Sequence, residues 1–180
     1  LSRAYTPFRK TLMAIMISPL IVPLIITASG LFMFFAKFQL VATFTGMILA
    51  HTVLGIPFVV ITVTATLISF DHNLTRAASG LGGTPFYNFF KVQMPLITPG
   101  VVSGALFAFI TSFDEVVVVL FIGSQNQITL PRQMWSGIRQ EISPTILSVA
   151  TILVILSILL LTTVELLRRR SERLRGIRPS

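Results

Sequence analysis

The chain has 180 residues, of which 53% are hydrophobic and only 11% are charged, whereas soluble domains carry about 25% charged residues. This composition indicates an integral membrane protein. The absence of cysteine excludes disulfides and cysteine-based metal or redox sites, and two histidines are too few to suggest a metal centre. Six of the 14 basic residues lie between Arg168 and Arg178, so the net charge of +8 indicates a basic cytoplasmic tail (residues 168–180) and no nucleic-acid site.

Four long apolar runs predict four membrane-spanning helices, because each run reaches the roughly 20 residues needed to cross the hydrocarbon of a bilayer. Pro19 and Pro23 are expected to bend the first span, and Ser143 as N-cap with Pro144 is expected to open the last. The fold class predicted is therefore all-α and polytopic. The predicted spans are residues 12–35, 41–70, 99–122 and 144–167, with a surface helix at about 131–140 before the last span.

A polar island from His72 to Pro99 separates the first two predicted spans from the last two. Its spacing predicts two short amphipathic helices joined at Gly82, because glycine enters the left-handed conformation without steric cost. Thr84 as N-cap and Pro85 at the first helical position would open the second helix. The first helix would place Leu74, Ala77, Ala78 and Leu81 on one face, and the second would group Phe86, Phe89 and Phe90, leaving Asn88 and Lys91 on other faces.

The distribution of lysine and arginine predicts the orientation of the chain in the membrane. With four spans, 11 of the 14 basic residues fall on the side of the island and the termini, and three fall on the other side. Because cytoplasmic segments carry the excess of basic residues, residues 72–99 and both termini of the chain are expected in the cytoplasm.

One motif in the island carries a resemblance to a known family. Arg76-Ala77-Ala78 is followed by Gly82 after three residues and by Val92-Gln93-Met94-Pro95 after nine more. This pattern resembles the EAA loop of ABC importer permeases, which reads Glu-Ala-Ala, then Gly, then Ile-x-Leu-Pro. Arg76 replaces the usual glutamate, so an ionic contact made by that carboxylate is not expected here.

The resemblance covers nearly the whole chain. The flanking segments LAHTVLGIPFVV, PLITPGVVSGALFAFITSFDEVVVVLF and TLPRQMWSGIRQEISPTI are similar to the second permease subunit of spermidine/putrescine importers. Such permeases usually have six spans. The resemblance therefore implies that residues 1–180 form one partial permease domain, the last four helices of the six, and that the chain is an N-terminally truncated fragment.

The resemblance also implies a set of partners. In this family the loop docks on a dimer of cytoplasmic ABC ATPases, beside a second permease subunit, here expected to be a different chain, and an extracytoplasmic substrate-binding protein. The location implied is the bacterial inner membrane. The phosphate-binding pattern G-x-x-x-x-G-K-[ST] is absent, so the chain is expected to be no enzyme and to bind no cofactor, with ATP held by the partner ATPase. The implied coupling residues are Arg76, Ala77, Ala78, Gly82, Phe86, Phe90 and Pro95.

Asp114 and Glu115 are acidic residues inside the third predicted span. They lie about 22 Å along a helix from Pro99, past the midplane, where an unpaired charge costs several kcal/mol. One of them could line the translocation pathway and attract a cationic solute such as a polyamine. Alternatively, one could pair with Arg132 or Arg139, or cap a neighbouring helix. His51 is a further pathway candidate, with an interhelical hydrogen bond as the alternative.

Other functions remain open from the sequence. Relatives with similar loops carry opines or phosphonates, so the solute of an importer could differ from a polyamine. A gradient-driven transporter or a channel would also use charges inside the membrane, but it would need no loop of paired docking helices. No set of ligands or activated nucleophile supports a membrane-embedded enzyme.

Overall fold

The computed structural model describes residues 8–140 and 144–174, and their regular structure is helical. Eight helices follow one another in this part of the chain. They are α1 (Arg9–Ile21), α2 (Leu24–Lys37), α3 (Phe44–Ile68), α4 (His72–Gly80), α5 (Pro85–Phe113), α6 (Val117–Ile122), α7 (Leu130–Gln140) and α8 (Pro144–Leu174).

The first predicted span is two helices, which is a correction to the prediction of one bent helix. The axes of α1 and α2 differ by 110° across a break at Val22 and Pro23. Val22 is extended, with φ −72° and ψ 134°, because the residue before a proline avoids the α conformation. Within residues 8–140 and 144–174, three helices are long and apolar enough to cross a membrane, and a fourth crossing results if the bent pair counts as one.

The third predicted span begins earlier and ends earlier than predicted. α5 runs without interruption from Pro85 to Phe113, so the second short helix of the island and the apolar span are one helix. A π-helical stretch, Asn88–Gln93, widens the helix just before Pro95, whose ring would clash with the carbonyl four residues earlier in a regular α-helix. The prediction ended this span at residue 122, but the helix stops at Phe113 and residues 117–122 form the separate helix α6.

The close packing of α3 against α5 rests on small residues. Gly100, Gly104 and Ala108 recur every four residues on one face of α5, and Gly55 of α3 lies against Ala108. A methyl group built at Gly104 would overlap Thr62 Oγ1 and lie 2.9 Å from Val59 Cα. Small residues let helix backbones approach closely where lipid provides no hydrophobic driving force, so this face fixes the position of α5.

The buried core surrounds the short helix α6. Val118, Val119 and Ile122 are fully buried, and the first and last of these pack with residues of α2 and α3. The carbonyl of Ile122 also accepts a hydrogen bond of 2.8 Å from the backbone N–H of Ala42, which links α6 to the connection between α2 and α3. The core cluster consists of Ala28, Phe35, Ala50, Leu54, Val118 and Ile122.

The last two helices agree with their predicted positions. α7 begins at Leu130, one residue before the predicted surface helix, and ends at Gln140. α8 begins at Pro144 and its helical backbone continues to Leu174, past the predicted end at residue 167. The predicted N-cap Ser143 lies outside the described residues. None of the apolar stretch Pro144–Thr163 is buried, so this helix offers its surface to lipid or to another chain.

Candidate coupling hairpin and membrane cavities

α4 and the first turns of α5 form a helical hairpin at one end of the α3–α5 pair, here called the polar hairpin (residues 72–93). Asp71 caps α4, because its carboxylate accepts a hydrogen bond of 2.9 Å from the N–H of Asn73. Phe70, which is buried, places its ring 5.6 Å from that of His72 and so holds α4 at the end of α3. One arm of the polar hairpin therefore continues from α3, and the other is part of α5.

The turn between the two arms is a Schellman motif. The N–H of Gly83 donates to the carbonyl of Ala78 at 2.9 Å, and the N–H of Gly82 donates to that of Ser79 at 3.0 Å. Gly82 has φ +86°, the left-handed conformation that the sequence predicts. Thr84 then caps the second arm by accepting a hydrogen bond from the N–H of Tyr87 at 3.3 Å.

Apolar side chains protrude from the polar hairpin. Leu81 is 90% exposed, Phe86 79% and Phe90 60%. The rings of Phe89 and Phe90 meet edge to face with centroids 4.9 Å apart. Of the other predicted coupling residues, Arg76, Ala77 and Pro95 are exposed, and Ala78 is half-buried beneath the turn. The predicted set thus forms no closed cluster but is spread over the outer surface of the hairpin and its root.

Asn88 is the residue that the sequence prediction placed wrongly. It was assigned to a face away from the packing, yet only 4% of it is exposed. Its Nδ2 donates to Ser79 Oγ at 2.8 Å and to the carbonyl of Gly83 at 3.3 Å, so it joins the two arms. The signal was present in the sequence, because positions 79 and 88 are symmetric about the turn and a hairpin brings such positions together.

A cavity of about 840 Å³ opens between α1, α3, α5 and the start of α7. Its walls are mostly apolar, and one polar pair crosses it between helices. Nδ1 of His51 and Oγ of Ser112 are 2.9 Å apart, which gives His51 the interhelical hydrogen bond weighed as its alternative role. The same geometry also places His51 on the wall of the cavity, so its role in a pathway stays a prediction.

The two acidic residues lie in the break between α5 and α6 and not within one helix. Glu115 is buried, and its Oε1 accepts a hydrogen bond of 2.7 Å from the N–H of Val118, which caps α6. Asp114 is exposed and faces a second cavity of about 250 Å³, between α5 and α8. The break thus turns the two carboxylates into different surroundings.

The alternative partners proposed for these carboxylates have their own contacts. Arg132 donates from Nη1 to the carbonyls of Ser124 and Gln127, at 2.8 and 3.0 Å, and so holds the connection between α6 and α7. The side chain of Arg139 lies outside the described part of the chain. Among the alternatives, the structure therefore shows helix capping for Glu115.

Residues 3–175 match the family described as the binding-protein-dependent transport system inner membrane component. The chain belongs to this family. The permease resemblance carried by the EAA-like loop is thereby confirmed, and the chain is an inner membrane component with several helices capable of spanning the bilayer.

Curated relatives of this permease are polyamine transport proteins. The chain is 31% identical over 150 residues to the spermidine/putrescine transport system permease protein PotC of Haemophilus influenzae, covering 83% of this chain and 58% of the relative. It is 32% identical to PotC of Escherichia coli, with 82% and 56% covered. The putrescine transport system permease protein PotI of Escherichia coli is 31% identical, with 76% and 50% covered. The permease chain thus spans about half to three-fifths of the length of these relatives.

Proposed function

We propose that this permease chain forms part of the translocation pathway of an ABC importer for a small cationic solute of the polyamine class. In this proposal the polar hairpin faces the cytoplasm and docks on a dimer of separate ATPase subunits, which bind and hydrolyse ATP. A second, different permease subunit completes the pathway, and an extracytoplasmic binding protein delivers the solute. Both termini of the chain described here lie in the cytoplasm of a bacterial cell.

The exposed apolar side chains of the polar hairpin are the observation that carries the proposal. Leu81, Phe86 and Phe90 protrude from a short segment whose α4 arm has no buried residue. Contiguous exposed apolar groups on a polar segment mark a contact surface, and short helices bind grooves through such groups. Burying one phenylalanine contributes about 1.5–3 kcal/mol, so two are enough to decide whether a partner binds.

The double change Phe86→Ala and Phe90→Ala tests this docking. We expect the full-length permease to insert and fold normally but to lose its ATPase, because these two side chains have little contact with the rest of the chain. Loss of about 3 kcal/mol corresponds to more than a hundredfold weaker binding. The measurement is the amount of ATPase that co-purifies with the permease complex in mild detergent.

The matched control removes two exposed phenylalanines from another part of the chain. Phe34 and Phe38, on α2 and its end, are 56% and 61% exposed and have ring centroids 5.0 Å apart. Their double alanine variant should retain the ATPase. Equal retention by both double variants would overturn the docking proposal.

For the solute, Asp114 is the acidic residue with an open face. A carboxylate at the edge of a low-dielectric cavity attracts an ammonium group more strongly than one in bulk water. We therefore expect Asp114→Asn to lower polyamine uptake about tenfold, which corresponds to ~1.4 kcal/mol. The measurement is uptake of radiolabelled spermidine and putrescine by cells that express the complete importer.

Asp71→Asn serves as the control for this change, since asparagine caps a helix about as well as aspartate and the substitution removes one acidic charge. It should leave uptake near the unmodified rate. Unchanged uptake in Asp114→Asn would remove Asp114 from the pathway while leaving the docking proposal untouched.

A further inference from the structure

Asn88 joins the two arms of the polar hairpin through a chain of hydrogen bonds. Its Nδ2 donates to Ser79 Oγ at 2.8 Å, and the hydroxyl of Ser79 donates in turn to the carbonyl of Thr75 at 3.0 Å. A second bond runs from Nδ2 to the carbonyl of Gly83. The side chain of one arm is thus fixed to a side chain of the other arm and to the turn between them.

The turn by itself cannot set the angle between the arms. Its two consecutive residues are Gly82 and Gly83, and glycine is the residue with the widest choice of backbone conformations. Apolar packing cannot set the angle either, because α4 has no buried residue. Among the described residues of the polar hairpin, Asn88 is the buried one, so its hydrogen bonds are the specific link that remains.

The two arms lead to different membrane helices. α4 follows α3 through the short connection Ser69–Asp71, in which Phe70 is buried, and the second arm is continuous with α5. α3 and α5 are packed face to face through Gly100 and Gly104. A push on a rigid hairpin therefore acts on both helices at once, whereas a push on a hairpin that can open at its glycine turn would be absorbed there.

We propose that Asn88 is a positioning residue which, through Ser79, makes the polar hairpin a rigid unit that moves α3 and α5 together when the ATPase closes. This role rests on the proposed function, because it needs an ATPase docked on the hairpin. It assigns no contact with the ATPase to Asn88, which is buried. The docking surface and the lock between the arms are therefore separable by mutation.

Two substitutions remove the lock from opposite sides. Asn88→Leu keeps a similar size but removes the donor, and Ser79→Ala removes the acceptor. Ser79 is exposed, and alanine is the best helix former, so Ser79→Ala should fold even if Asn88→Leu does not. Ser79→Thr keeps the hydroxyl and serves as the conservative variant. Thr98→Ala is the control, because the hydroxyl of Thr98 donates to the carbonyl of Met94 within its own helix.

The experiment uses the complete importer reconstituted in liposomes, with spermidine as the solute. Three quantities are measured: the ATPase bound per permease, the rate of ATP hydrolysis, and the ratio of ATP hydrolysed to spermidine imported. We expect Asn88→Leu and Ser79→Ala to bind the ATPase normally and hydrolyse ATP, but to raise that ratio about tenfold, since a lost buried hydrogen bond is worth about that factor. Ser79→Thr and Thr98→Ala should keep the unmodified ratio.

The possible failures are distinguishable. An unchanged ratio in Ser79→Ala with normal ATPase binding would overturn the lock, and so would loss of ATPase binding in both variants, which would place these residues in the docking surface. If the unmodified permease itself binds no ATPase, the proposed function fails before the lock is tested.

Discussion

Replacing Gly104 by leucine is expected to prevent α3 and α5 from packing and so to remove most of the folded permease. The first added carbon would overlap Thr62 Oγ1 and lie 2.9 Å from Val59 Cα. The side chain of Thr62 can rotate away, but the backbone of Val59 cannot. Overpacking of this kind costs about 1–3 kcal/mol for small additions and more for a whole leucine. Size-exclusion chromatography of the full-length permease in detergent, before and after a heat step, measures the loss.

Gly30 provides the matched control for Gly104. It lies in α2, also an apolar helix, and a methyl group built on it meets no atom within 4 Å. Gly30→Leu should therefore give the same yield and heat resistance as the unmodified permease. A milder test pairs Gly104→Ala with Thr62→Ala, which should recover part of the loss because one of the two obstructing groups is gone. Normal folding of Gly104→Leu would contradict the packing described for α3 and α5.

Gly83 is expected to be more sensitive to substitution than Gly82, although the sequence motif points to Gly82. A methyl group at Gly83 would overlap Asn88 Oδ1 and lie 2.7 Å from the carbonyl oxygen of Ala78, whereas one at Gly82 meets nothing within 4 Å. Gly82→Ala has only the conformational cost of φ +86°, about 1–2 kcal/mol. Gly83→Ala must also break the Schellman bond and displace Asn88, so polyamine uptake should fall several times further.

Uptake per molecule of permease in the membrane is the quantity that compares these two glycine variants. Gly80→Ala, at the end of α4 with open space around it, is the control and should transport normally. If Gly82→Ala proves as harmful as Gly83→Ala, then the left-handed turn alone determines the hairpin, and the contact of Gly83 with Asn88 has no weight.

The membrane-spanning character of the chain and the Gly82 turn could be predicted because they depend on local properties. Apolar composition over about 20 residues decides whether a segment can cross a bilayer. The left-handed conformation at Gly82 follows from the absence of a Cβ atom, whatever surrounds it. The surface helix α7 was also predictable, because its polar and apolar residues alternate with helical spacing before Pro144.

The breaks and fusions of helices were harder to predict. The prolines Pro19, Pro23, Pro95 and Pro99 look alike in sequence, but only Pro23 lies at a sharp bend, while the other three lie within helices or near a helix start. The π-helical stretch before Pro95 lets the hairpin arm and the membrane helix join. Which outcome a proline gives depends on the packing around it, and a single sequence does not contain that packing.

The roles of the polar residues depended on partners that are distant in sequence. Asp114 and Glu115 are neighbours, yet the end of α5 at Phe113 leaves Asp114 exposed and buries Glu115 as the cap of α6. Asn88 was placed on a solvent face, because helical spacing alone does not show that α4 folds back over it. Their residue types suggested chemistry, but only the fold separates a capping carboxylate from a free one.

The most direct test of the account is the rate of ATP hydrolysis by the reconstituted complex of full-length permease, companion permease, ATPase and binding protein, with and without spermidine or putrescine. The account predicts that either polyamine stimulates hydrolysis and that Phe86→Ala with Phe90→Ala abolishes the stimulation. Stimulation by another solute only would reject the polyamine. A permease that transports solute without binding any ATPase would contradict the account as a whole.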